Sequence, residues 1–149
     1  MDRYDSTLGR LAMGKSLPDP EEPDAEVEWK PPRWVFYKKH CPARIKDENA
    51  ARIRSSRSGE GKATYLIPRE QIEILELRAV GPSPDGVGPN EILPRKTLHT
   101  RHFWLDAGHV IGASDGELTS FIYVIYGSSG EVHGYPITAQ ELKRKGVEL

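Results

Sequence analysis

Three of the chain's five histidines fall within residues 98–112, LHTRHFWLDAGHVIG, beside Arg101, Phe103 and Trp104. Imidazole titrates near neutrality, so His99, His102 and His109, with His133 downstream, are candidate general acids and bases. Cleavage of RNA through the ribose 2′-hydroxyl needs a base, an acid and a cation to meet the phosphorane charge. Arg101 or Lys96 can supply that cation. Thr119, Ser120 and Tyr135 carry hydroxyls that can hold a phosphate, and Trp104, Phe103 and Tyr135 carry rings on which an unpaired base can stack.

The competing chemistry is metal binding. His99 and His102 at i, i+3, with His109 and Asp106, are zinc-ligand types. Their spacing matches no motif with a known mechanism, and no HExxH occurs. The expectation is acid–base chemistry with neither metal nor cofactor. Against any such role stands the ordinary one, in which histidines flanking a strand are partly exposed packing residues.

The elements that must position these groups are legible in part. Residues 117–126 (ELTSFIYVIY) and 131–137 (EVHGYPI) flank GSSG and predict a hairpin. An even-length turn pairs Tyr126 with Glu131, Val124 with His133, Ile122 with Tyr135 and Ser120 with Ile137. One face then carries Leu118, Ser120, Ile122, Val124, His133 and Tyr135; the other carries Phe121, Tyr123, Ile125 and Val132. The first strand is apolar on both faces, which predicts a central, covered position. Pro136 cannot donate to a ladder, which predicts a sheet edge. A helix follows, with Thr138 as its N-cap, Glu141 three residues on and Gly146 at its end.

Upstream, RWVFYKK (33–39) and KATYLIP predict strands, and residues 42–57 predict a basic helix with Ile45, Ala50 and Ile53 as a thin apolar stripe. QIEILELRAV fits strand or helix, and strand is preferred because a long Gly/Pro loop follows. SGEGKAT lacks the spacing of a phosphate loop. Together these predict an α+β domain over 33–149, a twisted and mainly antiparallel sheet with one or two packed helices.

At 149 residues the chain has the length of one ordinary domain. No run approaches the roughly 18 apolar residues of a membrane span, and the N-terminus lacks a secretory core. The expected location is cytoplasmic, or secreted by a system that uses no cleavable signal peptide. Cys41 alone cannot form an internal disulfide. The net charge of −1 hides segregation: residues 1–32 hold eight acids and four bases, and residues 33–69 hold ten bases and three acids. The first segment, rich in proline, predicts a flexible acidic arm able to dock on a protein partner, and the second a basic surface suited to an RNA backbone.

GELTSFIYVIYGSSGEVHGYPI resembles the closing hairpin of the barnase, EndoU, colicin-nuclease and RelE-like group of metal-independent ribonuclease toxins. In that group a hydrophobic strand, often with Ser or Thr, turns through a Gly-containing loop into a final strand that ends in Tyr-Pro. Toxin members tend to place a Gly-His ahead of the hairpin, matched by Gly108-His109. Many carry Thr-Ala before Tyr-Pro, where this chain has His133-Gly134. The resemblance covers about the last forty residues. It implies an endoribonuclease, with RNA as substrate and an inhibitor or immunity protein as partner.

The expected site is a cleft shared by His109, one of His99 and His102, His133 and Tyr135, with Arg101 binding the anion. Two other classes compete: a non-catalytic interaction module (immunity, inhibitor, phage or assembly component), and an NAD-cleaving or ADP-ribosyl-transferring toxin. The latter would need Glu131 or Glu141 as its acid, and no nucleotide-binding signature accompanies them.

Overall fold

The computed structural model of the chain describes residues 27–42, 47–81 and 86–149. Its strands are β1 (Arg33–Trp34), β2 (Thr64–Tyr65), β3 (Thr100–Asp106), β4 (Gly112–Ser114), β5 (Glu117–Thr119), β6 (Phe121–Gly127) and β7 (Glu131–Ile137). Its helices are α1 (Glu48–Ser55), α2 (Arg69–Val80) and α3 (Ala139–Arg144), with a 3₁₀ turn at Lys38–His40. The α+β class holds, with mostly antiparallel strands, but there are two sheets. One has the order β1-β7-β6-β3, with β1 parallel to β7; the other has the order β2-β4-β5. Among the described residues no helix is long and apolar enough to cross a membrane.

The stretch that reads as one strand over 117–126 is two. It breaks at Ser120, where the Thr119 hydroxyl replaces ladder bonds by donating to Ile137 O (2.7 Å) and accepting from Phe121 N (3.1 Å). β5 therefore joins one sheet and β6 the centre of the other, as its two apolar faces predict. Pro136 lies on β7 beyond the short span covered by β1, which pairs only with Glu131 and Val132.

The hairpin register differs from the expected one by a residue. The loop is residues 128–130, an odd number, closed by Gly130 N donating to Gly127 O (2.9 Å) with φ +108° at Gly130. Tyr126 pairs with Val132, Ile125 with His133, Tyr123 with Tyr135 and Phe121 with Ile137. A one-residue slip turns every side chain over. His133 and Tyr135 thus share a face with Phe121, Tyr123 and Ile125, not with Ser120, Ile122 and Val124.

Residues 69–80 form α2, not the preferred strand. Ile72, Leu75, Glu76, Ala79 and Val80 recur at helical spacing and are buried, whereas Ile74, the residue that suggests alternation, is 57% exposed. This stripe packs on Phe103, Ile122, Val124, Tyr126 and Val132 to make the main core. The predicted basic helix is confined to α1, capped by Asp47, whose carboxylate accepts from Ala50 N. Ile45 lies outside the described residues, and Ile53 is exposed. The 33–39 strand shrinks to β1 before the 3₁₀ turn. α3 forms as expected, Thr138 Oγ1 accepting from Glu141 N (3.1 Å). Leu142 and Val147 pack with Ile92, Tyr123 and Ile137.

Of the acidic arm expected over 1–32, residues 1–26 lie outside the described residues, and residues 27–32 are docked. Lys30 N donates to Ser128 O (3.0 Å), the Tyr126 hydroxyl donates to Lys30 O, and the Trp29 ring lies 5.2 Å from that of Tyr126. One large aromatic outweighs the polar composition around it.

α2 also buries a carboxylate. Glu76 Oε1 accepts from Trp34 Nε1 (2.8 Å) and Oε2 from the Tyr65 hydroxyl (2.6 Å), while the N–H of Gly134 also donates to it. Residue 134 must be glycine for this approach, since a Cβ would meet Tyr123 O and come within 3.1 Å of Glu76 Oε2. Burial outweighs these donors and pushes the Glu76 carboxyl up from 4.5 to about 7. The unfolded chain therefore ionises this group first, and its contribution to stability falls as pH rises from 4.5 to 7, by about 3 kcal/mol in all. Urea midpoints at pH 5 and pH 8 should show this fall in the wild type; in Glu76→Gln the fall should shrink, whatever the variant's absolute stability.

Candidate functional site

β3 alternates. Thr100, His102, Trp104 and Asp106 point away from α2, and Arg101, Phe103 and Leu105 point toward it. Pairing across β3, β6 and β7 therefore sets His102, Ile125 and His133 in one row, and Trp104, Tyr123 and Tyr135 in the next. His102, Trp104, Ile125, His133 and Tyr135 are all only half-buried; Trp104, Ile125 and Tyr135 also pack against the cluster around Leu142 of α3.

His102 is the best-positioned of the histidines. Its Nδ1 is hydrogen-bonded to the Tyr123 hydroxyl, and its Nε2 lies 3.4 Å from Thr100 Oγ1. Lys145, just past α3, sits over the Tyr123 ring at 4.7 Å. Ile92, Pro94, Arg95, Lys96, His102, Tyr123 and Lys145 line one small pocket. Among the described residues neither Lys96 nor Lys145 is paired with a carboxylate. Burial, then Lys145 and Lys96, hold the His102 imidazole below its usual 6.5, so it stands neutral at pH 7. Burial pushes the Tyr123 phenol up to about 12, so it remains protonated.

His133 lies two strands from His102, roughly 10 Å at the usual strand spacing. Its ring stacks on Tyr37, centroids 4.0 Å apart and planes 4° from parallel. Its Nδ1 is buried without a hydrogen-bond partner, and burial lowers its proton affinity. His40, not singled out by the sequence, is buried beside Tyr135 with ring centroids 5.2 Å apart and Nδ1 2.8 Å from Ala63 O.

The other expected residues lie elsewhere. Arg101 is not an anion-binding group: it is 1% exposed on the core side, with Nη2 2.8 Å from Glu91 Oε1 and Nε 3.2 Å from Oε2. Phe103 is fully buried and offers no face to a base. His99 precedes β3, exposed, with Nδ1 3.3 Å from the turn residue Ser128. The short 106–108 loop does bring His109 beside β5, in a separate cleft of about 470 Å³ with Asp106, Glu117, Thr119 and Ser120. Among the described residues, the cleft that holds His109 and the pocket that holds His102 have no lining residue in common, and neither includes His133. No catalytic triad forms there: Ser120 Oγ donates to Asp106 Oδ1 (2.8 Å), and His109 Nδ1 lies 3.1 Å from Ala107 O. Thr119 is occupied by the strand break. Among the described residues no three His, Cys, Asp or Glu side chains gather as a metal-ligand set.

Sequence reasoning misses Tyr123 because the slipped register puts it on the other face, and Lys145 because a lysine near a helix end reads as solvated. Strict alternation in TRHFWLD is the available signal separating Arg101 from His102. Comparison with protein-family models, curated proteins and solved structures returns no match.

Proposed function

We propose that the chain is a metal-independent, toxin-like endoribonuclease working at the sheet face around His102. The observation that carries this is the His102 imidazole bonded to Tyr123 in a pocket that Lys96 and Lys145 also line, neither lysine paired with a carboxylate among the described residues. The role requires the tautomer in which Nδ1–H donates to the Tyr123 oxygen, leaving the Nε2 lone pair as base. Nε2 takes the proton of the ribose 2′-hydroxyl while that oxygen bonds to phosphorus. Lys96 and Lys145 face the phosphorane charge. The bond to the 5′-oxygen breaks with its electron pair, and Lys145 donates a proton to that oxygen. The products are a 2′,3′-cyclic phosphate and a 5′-hydroxyl. Trp104 and Tyr135, half-buried against neighbouring rings, present only part of their surface to unpaired bases, and the hairpin's resemblance to ribonuclease toxins agrees with this chemistry.

The test is end-labelled RNA incubated with the full chain in EDTA. Cleavage to cyclic-phosphate ends is expected, with DNA of the same sequence left intact for want of a 2′-hydroxyl. Because His109 lies in a different cleft, His109→Ala should cut at the wild-type rate. Intact RNA would leave the interaction-module alternative, in which the same half-buried face meets a protein; cleavage abolished by EDTA would overturn the metal-independent mechanism.

A further inference from the structure

Tyr37 has no part in the chemistry above. It lies between β1 and the 3₁₀ turn, outside the sheet, and covers His133 in the parallel stack already described. It is nevertheless 40% exposed. A ring stacked on one side and exposed to this degree offers its other side to solvent. Among the described residues its hydroxyl makes no hydrogen bond, so the position uses the ring alone. Lys38 and Lys39 follow directly, both exposed and neither paired with a carboxylate among the described residues.

His133 beneath points the same way. With Nδ1 shut in and unpartnered, what the residue contributes is its aromatic face.

We infer that Tyr37 and His133 form a two-ring platform that stacks one unpaired base, with Lys38 and Lys39 on the adjoining phosphate, so that the substrate is single-stranded RNA laid across β3, β6 and β7. This rests on the ribonuclease reading, since the same strand must also reach His102. Flat stacking surfaces select splayed, single-stranded bases, which a duplex keeps buried in its own stack.

The experiment measures fluorescence anisotropy of the full chain with a labelled 2′-O-methyl oligonucleotide, which cannot be cleaved, alone or annealed to its complement. The wild type should bind the single strand more tightly. Tyr37→Ala should weaken binding roughly 5- to 150-fold, the worth of one stacked base, with only a small fall in melting temperature because the ring packs on His133 alone among the aromatic rings and is 40% exposed. Tyr37→Phe should bind like the wild type. Single-strand binding by the wild type with Tyr37→Ala unaffected, or with Tyr37→Phe as weak as Tyr37→Ala, overturns the platform and leaves the ribonuclease reading standing. A preference for duplex also overturns it. Failure of the wild type to bind either form overturns both.

Discussion

Replacing His102 with alanine should lower the rate of RNA cleavage by about 10²- to 10⁴-fold, the usual loss when a positioned general base is removed. The melting temperature should move by a few degrees at most, because the ring is only half-buried and Tyr123, the core residue bonded to it, keeps its packing with Ile92, Ile137 and Leu142. The pH profile gives an independent check. The base must be unprotonated, and burial together with Lys145 and Lys96 makes His102 harder to protonate than an ordinary histidine. The value of kcat/KM should therefore climb with pH through a midpoint below 6.5 and stay level across neutrality. Tyr123→Phe removes the oxygen that orients the ring and should lower kcat more than it raises KM. A His102→Ala enzyme of undiminished activity would move the chemistry off this face.

Arg101→Ala carries the largest expected cost in stability. Its guanidinium faces the Glu91 carboxylate, whose side chain is fully buried, and lies 5.3–5.7 Å from the ring centres of Phe103, Trp29 and Tyr126. Arg95 shares the same carboxylate. Burial alone would raise the Glu91 carboxyl, and the bonds from Arg95 and Arg101 hold it below its ordinary range. Stranding a buried charge costs about 3–5 kcal/mol; Arg95 keeps Glu91 partly paired, so the lower end of that range is expected. Chemical denaturation should show a loss of that size; Arg101→Lys should recover only part of it, since an ammonium lacks the planar fork. Folded Arg101→Ala protein, at low temperature, should still bind RNA. Loss of binding without loss of stability would restore Arg101 as an anion-binding group.

Much of this architecture is legible in the residues themselves. The hairpin, the Thr138 cap, the central position of β6 and the approach of His109 to β5 all follow from local rules in which a single effect prevails. The failures share a cause: a local pattern with two near-equal solutions, decided by a distant partner. QIEILELRAV alternates for a few residues, and its helical stripe includes a charged residue, Glu76, whose burial makes sense only once Trp34, Tyr65 and Gly134 surround it. The loop GSSG is compatible with odd or even length, and that choice exchanges the two faces of β7 relative to β6. Residues 27–32 look unstructured until Tyr126 supplies a ring and a hydroxyl. For the candidate site, residue types are readable from composition and spacing; their grouping is not, because it depends on register.

The odd turn at 128–130 also governs how this molecule can change over generations. A slip of the pairing by one residue would carry Val132 out to solvent and drive His133 against α2, exchanging core for working surface in a single step. The burial of Val132 opposes that slip, so a residue inserted at this turn is absorbed by a longer loop and the faces keep their roles. The length of the turn is therefore free to vary across descendants while the pairing behind it is not.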